Sequence, residues 1–229
     1  MKEIENFLFN NSDEKFREFN KKLVPDTSYE MIGVKLPVLR GFAKTVSKDK
    51  ALSTAFLKEE HHYYEEWFLH GLIIAQEKEN VSKLLSELKA FMPHIDNWAI
   101  CDSVVASLKA FKKDETAVLD FVRESIDSDM VYAVRFGIVT LLDYFIKEEY
   151  LDEILRITLP LETEEYYINM AIAWLYSVML VKYYDFTIKI FETRLIKNVL
   201  VHNKAIQKAR ESLRVSDERK KYLYSLKIK

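Results

Sequence analysis

Glycine, proline and cysteine are scarce in this chain of 229 residues, which contains four glycines, four prolines and one cysteine. Average usage is about 7% for glycine and about 5% for proline. Strands joined by tight turns, and glycine-rich phosphate loops, require more of these residues. The single Cys101 also excludes an internal disulfide and a cysteine-based zinc site. We therefore expect an all-α protein without a glycine-rich nucleotide cradle.

Long apolar runs are absent as well. The opening residues, MKEIENFLFNNSDEK, lack the unbroken apolar run of a signal peptide. No later stretch reaches the length of about 18 uncharged apolar residues that a membrane span requires. Apolar residues nevertheless make up 49% of the sequence, which excludes a disordered chain. These features predict a folded cytoplasmic protein that has no membrane partner.

Charge is balanced over the whole chain but not along it. Lys and Arg number 34 and Asp and Glu 36, for a net charge of −2. Residues 197–229 contain ten basic and three acidic residues, a net of +7, which leaves −9 for residues 1–196. A basic end on an acidic body favours an anionic partner, with nucleic acid the leading candidate. A solvated, lysine-rich terminal helix explains the same composition, so charge leaves both interpretations open.

Apolar residues recur at three- and four-residue steps, which predicts amphipathic helices through most of the chain. A short pattern also repeats, in which a large side chain precedes Ala and a β-branched aliphatic residue. Its alanines, at positions 99, 133, 171 and 205, are separated by 34, 38 and 34 residues, the length of one helical hairpin. No Gly-, Ser- or Pro-rich linker divides the chain. We predict a single domain over residues 1–229, a HEAT-like α-solenoid of paired antiparallel helices.

Three residue groups are candidates for chemistry. Trp98 and Asp102 are four residues apart and share one helix face, where an aromatic plate beside a carboxylate suits a sugar that develops positive charge. Arg135 lies in an apolar run and needs a partner, which is Asp102, a phosphate or another acid. Trp174 lies in an aromatic stripe at helical spacing, which fits a core position as well as a ligand site.

The segment 59–66, Glu-Glu-His-His-Tyr-Tyr-Glu-Glu, contains metal-ligand residue types. Glu59 and His62 have the spacing of a di-iron helix, but such a site needs a second Glu-x-x-His motif, and the sequence has none. We expect a polar turn that leads into a helix, with no metal ion and no other cofactor.

Several of these segments together resemble the DNA alkylation repair proteins of the AlkD-like kind, which are HEAT-like-repeat DNA glycosylases. The resemblance covers residues 10 to 220 approximately and rests on Ile32–Arg40, Asp96–Asp102, the Arg135 helix and Ala171–Trp174. It implies a superhelix of paired helices that holds duplex DNA in its concave groove. The implied reaction is hydrolysis of the N-glycosidic bond of N3- or N7-alkylated purines.

The resemblance also implies roles for the candidate residues. Asp102 would face the developing sugar cation and orient a water, while Trp98 and Trp174 would pack against the sugar and backbone of the lesion. Arg135 would hold a nearby phosphate. An alkylated purine leaves as a neutral base, so this chemistry needs no general acid. We expect all four residues in one groove, with Trp98, Asp102 and Arg135 within about 10 Å of each other.

Further contacts with the DNA backbone are expected from Lys204, Lys208 and Arg214 in the basic end. Lys35 stands where the family has a glutamine in a Gly-Ile-Gln-Thr-Pro-like turn, and it can bind a phosphate although it only donates. This substitution and the acidic body leave a second function open. The alternative is a catalytically silent HEAT-type scaffold that binds nucleic acid or a protein partner.

Overall fold

The computed structural model describes residues 2–229, and over this range the chain is helical, with no strand beyond an isolated bridge between Glu30 and Tyr63. The prediction of an all-α protein is confirmed. The helices are α1 (Lys2–Asn10), α2 (Glu14–Leu23), α3 (Leu36–Val46), α4 (Lys50–Phe56), α5 (Tyr64–Ile74), α6 (Val81–Phe91), α7 (Trp98–Val105), α8 (Glu115–Ile126), α9 (Val131–Tyr144), α10 (Leu151–Thr158), α11 (Tyr166–Lys182), α12 (Tyr184–Glu192), α13 (Val199–Glu211) and α14 (Asp217–Ser225).

The helices form two compact units, one ending at Leu119 and the other running from Asp120 to Lys229. In the first unit, α5 packs against α3, α6 and α7. In the second unit, α11 packs against α9, α12 and α13, and α13 contacts α14. A single solenoid domain over residues 1–229 stays a prediction.

The four repeated alanines lie on alternate helices, α7, α9, α11 and α13. Ala133, Ala171 and Ala205 are at most 1% exposed, and Ala99 is half-buried. A small side chain at such a position lets a neighbouring helix approach closely. Each period of the sequence repeat therefore contains two helices.

Local capping chemistry determines where several helices begin. The Asp13 side chain accepts a hydrogen bond from the Phe16 backbone N–H at 3.0 Å, which starts α2. Asparagine side chains cap three further helices in the same way, at Asn80, Asn97 and Asn198. Glu165 is the N-cap of α11 but makes no such side-chain hydrogen bond.

Two helices, α5 and α11, are apolar on nearly all sides and lie in the interior of their units. Neither these nor the other helices found between residues 2 and 229 have the length and apolar character needed to cross a bilayer.

The two helical glycines of the first unit make a matched pair for testing this packing. A Cβ on Gly71 in α5 would lie 2.5 Å from Val104 Cγ2 and 2.8 Å from Phe91 Cζ, whereas a Cβ on Gly41 in α3 would meet nothing within 4 Å. We expect Gly71→Ala to lower the free energy of unfolding by about 1–3 kcal/mol through overpacking. Gly41→Ala should raise it by about 0.5–1 kcal/mol, because alanine favours the helix. Urea denaturation measures both values, and equal midpoints would contradict the packing of α5 against α6 and α7.

Candidate functional site

Trp98 and Asp102 lie on the short helix α7 of the first unit. Trp98 is its first residue, Asp102 follows one turn later, and both side chains are half-buried. The Asn97 side chain caps the helix by accepting a hydrogen bond from the Ile100 backbone N–H at 3.0 Å. An aromatic plate and a carboxylate thus share one partly exposed helix face, as their spacing predicts.

The end of α2 and the segment between α2 and α3 form hydrogen bonds with the beginning of α7. The Asp96 carboxylate accepts hydrogen bonds from the Thr27 hydroxyl at 3.0 Å, from the Ser28 backbone N–H at 2.6 Å and from the Ser28 hydroxyl at 2.9 Å. The Trp98 indole N–H donates to the Leu23 carbonyl at 3.2 Å. These contacts orient Trp98. Sequence reasoning missed them because 69 positions separate Thr27 from Asp96 and no local pattern pairs them.

A buried carboxylate holds the turn that precedes α3. Glu65 is fully buried and accepts hydrogen bonds from the backbone N–H groups of Ile32, Gly33 and Val34 at 2.7–3.1 Å. Burial raises the pKa of Glu65, and the three hydrogen bonds oppose that rise. Gly33 has φ = 102°, a conformation that side-chain-bearing residues rarely adopt. The turn that carries Lys35 is therefore fixed from the protein interior.

Lys35 is exposed, and its charge is already compensated. Its Nζ lies 2.8 Å from Asp13 Oδ2 and 6.0 Å from the centre of the Phe16 ring. The hydrogen bond from Lys35 holds the pKa of Asp13 below its ordinary value. A phosphate bound at Lys35 would have to compete with this carboxylate.

Arg135 and Trp174 lie in the second unit, on the packed helices α9 and α11. Arg135 is only 6% exposed, and its Nη1 donates to the Tyr167 backbone carbonyl at 2.7 Å. Trp174 is half-buried and comes seven residues after Tyr167, two turns later on the same face of α11. The Tyr167 ring also lies 5.7 Å from that of Tyr132, one turn before Arg135. Sequence reasoning missed this tyrosine pair.

The basic residues predicted to contact DNA lie on and after α13. Lys204 and Lys208 are one turn apart and half-buried, and Arg214 is exposed in the turn that follows. Lys204 Nζ donates to Gln207 Oε1 at 3.4 Å. Other cations of this end make contacts inside the unit, with Lys197 paired to Glu162, Arg210 stacked on Tyr224, and Arg219 stacked on Tyr184 and paired to Asp185.

The acidic, histidine-containing segment 59–66 forms a helix start. The Glu66 carboxylate accepts hydrogen bonds from the backbone N–H groups of His62 and Tyr63 at 2.9 and 3.0 Å. This is the polar turn that the sequence predicts. Over residues 2–229, no three His, Cys, Asp or Glu side chains come together in a group that could hold a metal ion.

The family of proteins described as DNA alkylation repair enzyme matches residues 4–179. The chain belongs to this family. The family resemblance inferred from the sequence is confirmed. The matched range includes Trp98, Asp102, Arg135 and Trp174 and ends within α11, so the basic end lies outside it. Comparison with curated proteins and with solved structures gave no match.

Histidines support the loop that leads to α7. His61 Nε2 lies 2.9 Å from His70 Nδ1, and the His61 ring meets the edge of Trp67, on which the ring of His94 stacks at 3.9 Å. Burial lowers the pKa of His61 to about 4 and that of His70 to about 3, with a further lowering from the neighbouring histidines. Both side chains are therefore neutral in the folded protein at neutral pH.

This cluster predicts a loss of stability in acid. Below pH 6.5, roughly the ordinary pKa of histidine, the unfolded chain binds protons that the folded chain does not. The free energy of unfolding therefore decreases as the pH is lowered. The slope approaches about 1.4 kcal/mol per pH unit for each histidine that stays neutral. Urea midpoints between pH 7 and 4, in steps of about half a unit, measure the slope.

The double variant His61→Gln/His70→Gln should have a shallower slope, because it lacks the two histidines that stay neutral in the folded protein. Carboxylates titrate equally in both proteins, so the difference in slope belongs to the histidine pair. The exposed His62 provides the matched control, and His62→Gln should stay close to the wild-type slope, because its charge is the smallest of the contributions that lower the pKa of His61. A double variant with the wild-type slope would show that the pair does not cause the acid sensitivity.

Proposed function

We propose that this protein is a DNA glycosylase of alkylation repair that hydrolyses the N-glycosidic bond of N3- or N7-alkylated purines in duplex DNA. The observation that carries the proposal is the family match across Trp98, Asp102, Arg135 and Trp174. The proposal includes the predicted α-solenoid and its DNA groove. It also includes a cytoplasmic location and a reaction that uses water and no cofactor.

The proposed chemistry requires an anion beside the sugar. When the C1′–N bond breaks, its electron pair neutralises the cationic alkylated base, and positive charge develops on the sugar. The Asp102 carboxylate stabilises that charge and orients the water that adds to C1′ and loses a proton. Trp98, whose indole is held by the Leu23 carbonyl, supplies a flat surface for the sugar. The base leaves already neutral, so no acid is required.

Residues of the second unit serve the phosphate backbone in this proposal. The hydrogen bond to the Tyr167 carbonyl fixes the direction of the Arg135 guanidinium before DNA binds, which reduces the ordering that binding requires. A planar guanidinium suits a phosphate. Trp174 offers an aromatic face for the strand near the lesion.

A second candidate function is a HEAT-type scaffold that binds nucleic acid or a protein partner without catalysis. The observation that favours it is the pairing of Lys35 with Asp13, which leaves a compensated ion pair where the family has a glutamine. Base release from alkylated DNA separates the two functions.

Asp102→Asn tests the proposed catalytic role, because it keeps the shape of the side chain and removes its charge. The rate of base release from a duplex containing N7-methylguanine should fall by about 10²–10³. Duplex binding should stay equal or become tighter, because a negative charge leaves a site that faces phosphates. The rate is measured by cleaving the abasic strand with alkali under single-turnover conditions.

The matched control is Asp152→Asn, an exposed aspartate on α10, which should release base at the wild-type rate. Equal rates for wild type and Asp102→Asn would remove Asp102 from the mechanism. If the wild-type protein releases neither an N3- nor an N7-alkylated base, the glycosylase proposal is wrong and the scaffold function remains.

The basic end supplies a separate prediction about DNA binding. Neutralising Lys204, Lys208 and Arg214 together should flatten the dependence of log K on log[salt] by up to about three units, at roughly 0.9 per phosphate contact. Fluorescence anisotropy of a labelled duplex measures the slope. Neutralising Lys182, Lys189 and Arg194, which are exposed elsewhere in the same unit, should leave it unchanged. Equal slopes for all three proteins would identify the basic end as a solvated surface.

A further inference from the structure

The first unit contains a cavity of about 460 Å³ whose charged lining residues are all basic. Arg40 and Lys44 come from α3, Lys78 follows the end of α5, and Lys109 follows the end of α7. The rest of the lining is small or uncharged and includes Ala75, Ala106 and Ser107. We call this site the cationic cavity. Its volume lies within the range of about 300–1,000 Å³ that is usual for ligand sites.

The charges of the cationic cavity are not compensated by carboxylates. All four basic side chains are exposed, and none pairs with an acidic side chain of residues 2–229. The cavity beside α4 and α6 differs, because its Lys83 pairs with Glu77 at 3.3 Å and with Glu87 at 3.7 Å. Four like charges around one concavity repel each other, and a bound anion would relieve that repulsion.

Two of the cations occupy equivalent positions in successive helix pairs. Lys78 lies three residues beyond Ala75, the C-cap of α5, and Lys109 lies three residues beyond Ala106, the C-cap of α7. Both residues line the cationic cavity, and α5 and α7 pack against each other. Cations repeated on neighbouring helices suit a row of phosphates better than a single small ion.

Helix dipoles do not account for the whole group. A helix C-terminus favours a nearby cation, which explains one basic residue for each helix. The third helix of the group, α3, supplies two, and Arg40 lies in its middle, six residues before Val46 at its end. The convergence of these residues on one cavity therefore points to a ligand.

The cationic cavity continues the helix face that carries the candidate catalytic pair. Ala106, which lines the cavity, comes four residues after Asp102, and Asp102 four after Trp98. Residues four apart share a face of a helix, so the three positions follow one another along α7. A strand with its sugar at Trp98 and Asp102 would extend its next phosphates toward the cavity.

We propose that the cationic cavity binds the phosphodiester backbone of duplex DNA through Arg40, Lys44, Lys78 and Lys109, without reading base sequence. For its ligand this inference rests on the proposed function, and it places backbone contacts in the first unit in addition to those of the basic end. Contacts of this type position the duplex but do not identify the lesion.

The test is the salt dependence of binding to an undamaged, fluorescently labelled duplex. The fourfold variant Arg40→Gln/Lys44→Gln/Lys78→Gln/Lys109→Gln should flatten the slope of log K against log[KCl] by up to about 3.6 units, at roughly 0.9 per contact. The smaller variant Lys78→Gln/Lys109→Gln should give about half of that change. Urea midpoints check that each variant is folded.

A fourfold control removes the same charge from the same unit at exposed positions outside the cavity, namely Lys2, Lys15, Lys22 and Lys58. Its slope should remain that of the wild type. The inference is overturned if the cavity variants keep the wild-type slope or if the control flattens it equally. It is also overturned if the cavity variants lose binding to phosphatidylserine vesicles but bind the duplex as before.

The undamaged duplex keeps this test separate from the proposed function. A wild-type protein that releases no alkylated base removes the glycosylase proposal, yet the cavity variants would still flatten the salt slope. Base release combined with an unchanged slope gives the opposite result, in which the enzyme proposal stands and the cavity inference fails.

Discussion

The anchoring of α7 is the constraint on which the candidate site depends. An isolated helix of eight residues is far too short to be stable, since about 12–15 residues are marginal even for good helix formers. Its order comes from the Asn97 cap, from Asp96 bound to the α2–α3 segment, and from the buried Ile100 and Cys101. The same interactions that make the helix stable therefore also set the direction of Trp98. Weakening the Asp96 contacts would disturb both at once.

The basic residues fall into two groups, those that pair with a carboxylate and those that do not. Lys35, Lys83 and Lys197 each pair with a carboxylate, and such pairs at the surface contribute little energy but leave no net field. The cations of the cationic cavity have no such partners and create a local positive potential. A net charge of −2 is therefore compatible with a protein that binds DNA, because the anion responds to the local field and not to the total.

Much of the fold was predictable from the sequence, since scarce glycine and proline require helices and the recurring alanines mark a period of two helices. The shared face of Trp98 and Asp102 followed from their spacing. The hydrogen bond from Thr27 to Asp96 was not predictable, because it joins segments that are distant in the sequence. The cationic cavity was not predictable either, because its four basic residues are scattered over some seventy positions of a segment whose summed charge is negative. Summing charge by segment hides clusters that folding creates.

The central claim, that this chain hydrolyses the glycosidic bond of an alkylated base with water as the nucleophile, is tested most directly by product analysis. Wild-type protein would be incubated with a duplex containing one N7-methylguanine, and a parallel incubation would contain cyanoborohydride to trap any covalent adduct between an amine and the sugar. The account predicts free 7-methylguanine, one abasic site for each base released, and no trapped protein–DNA adduct. A trapped adduct, or no released base at protein concentrations that saturate the duplex, would contradict it.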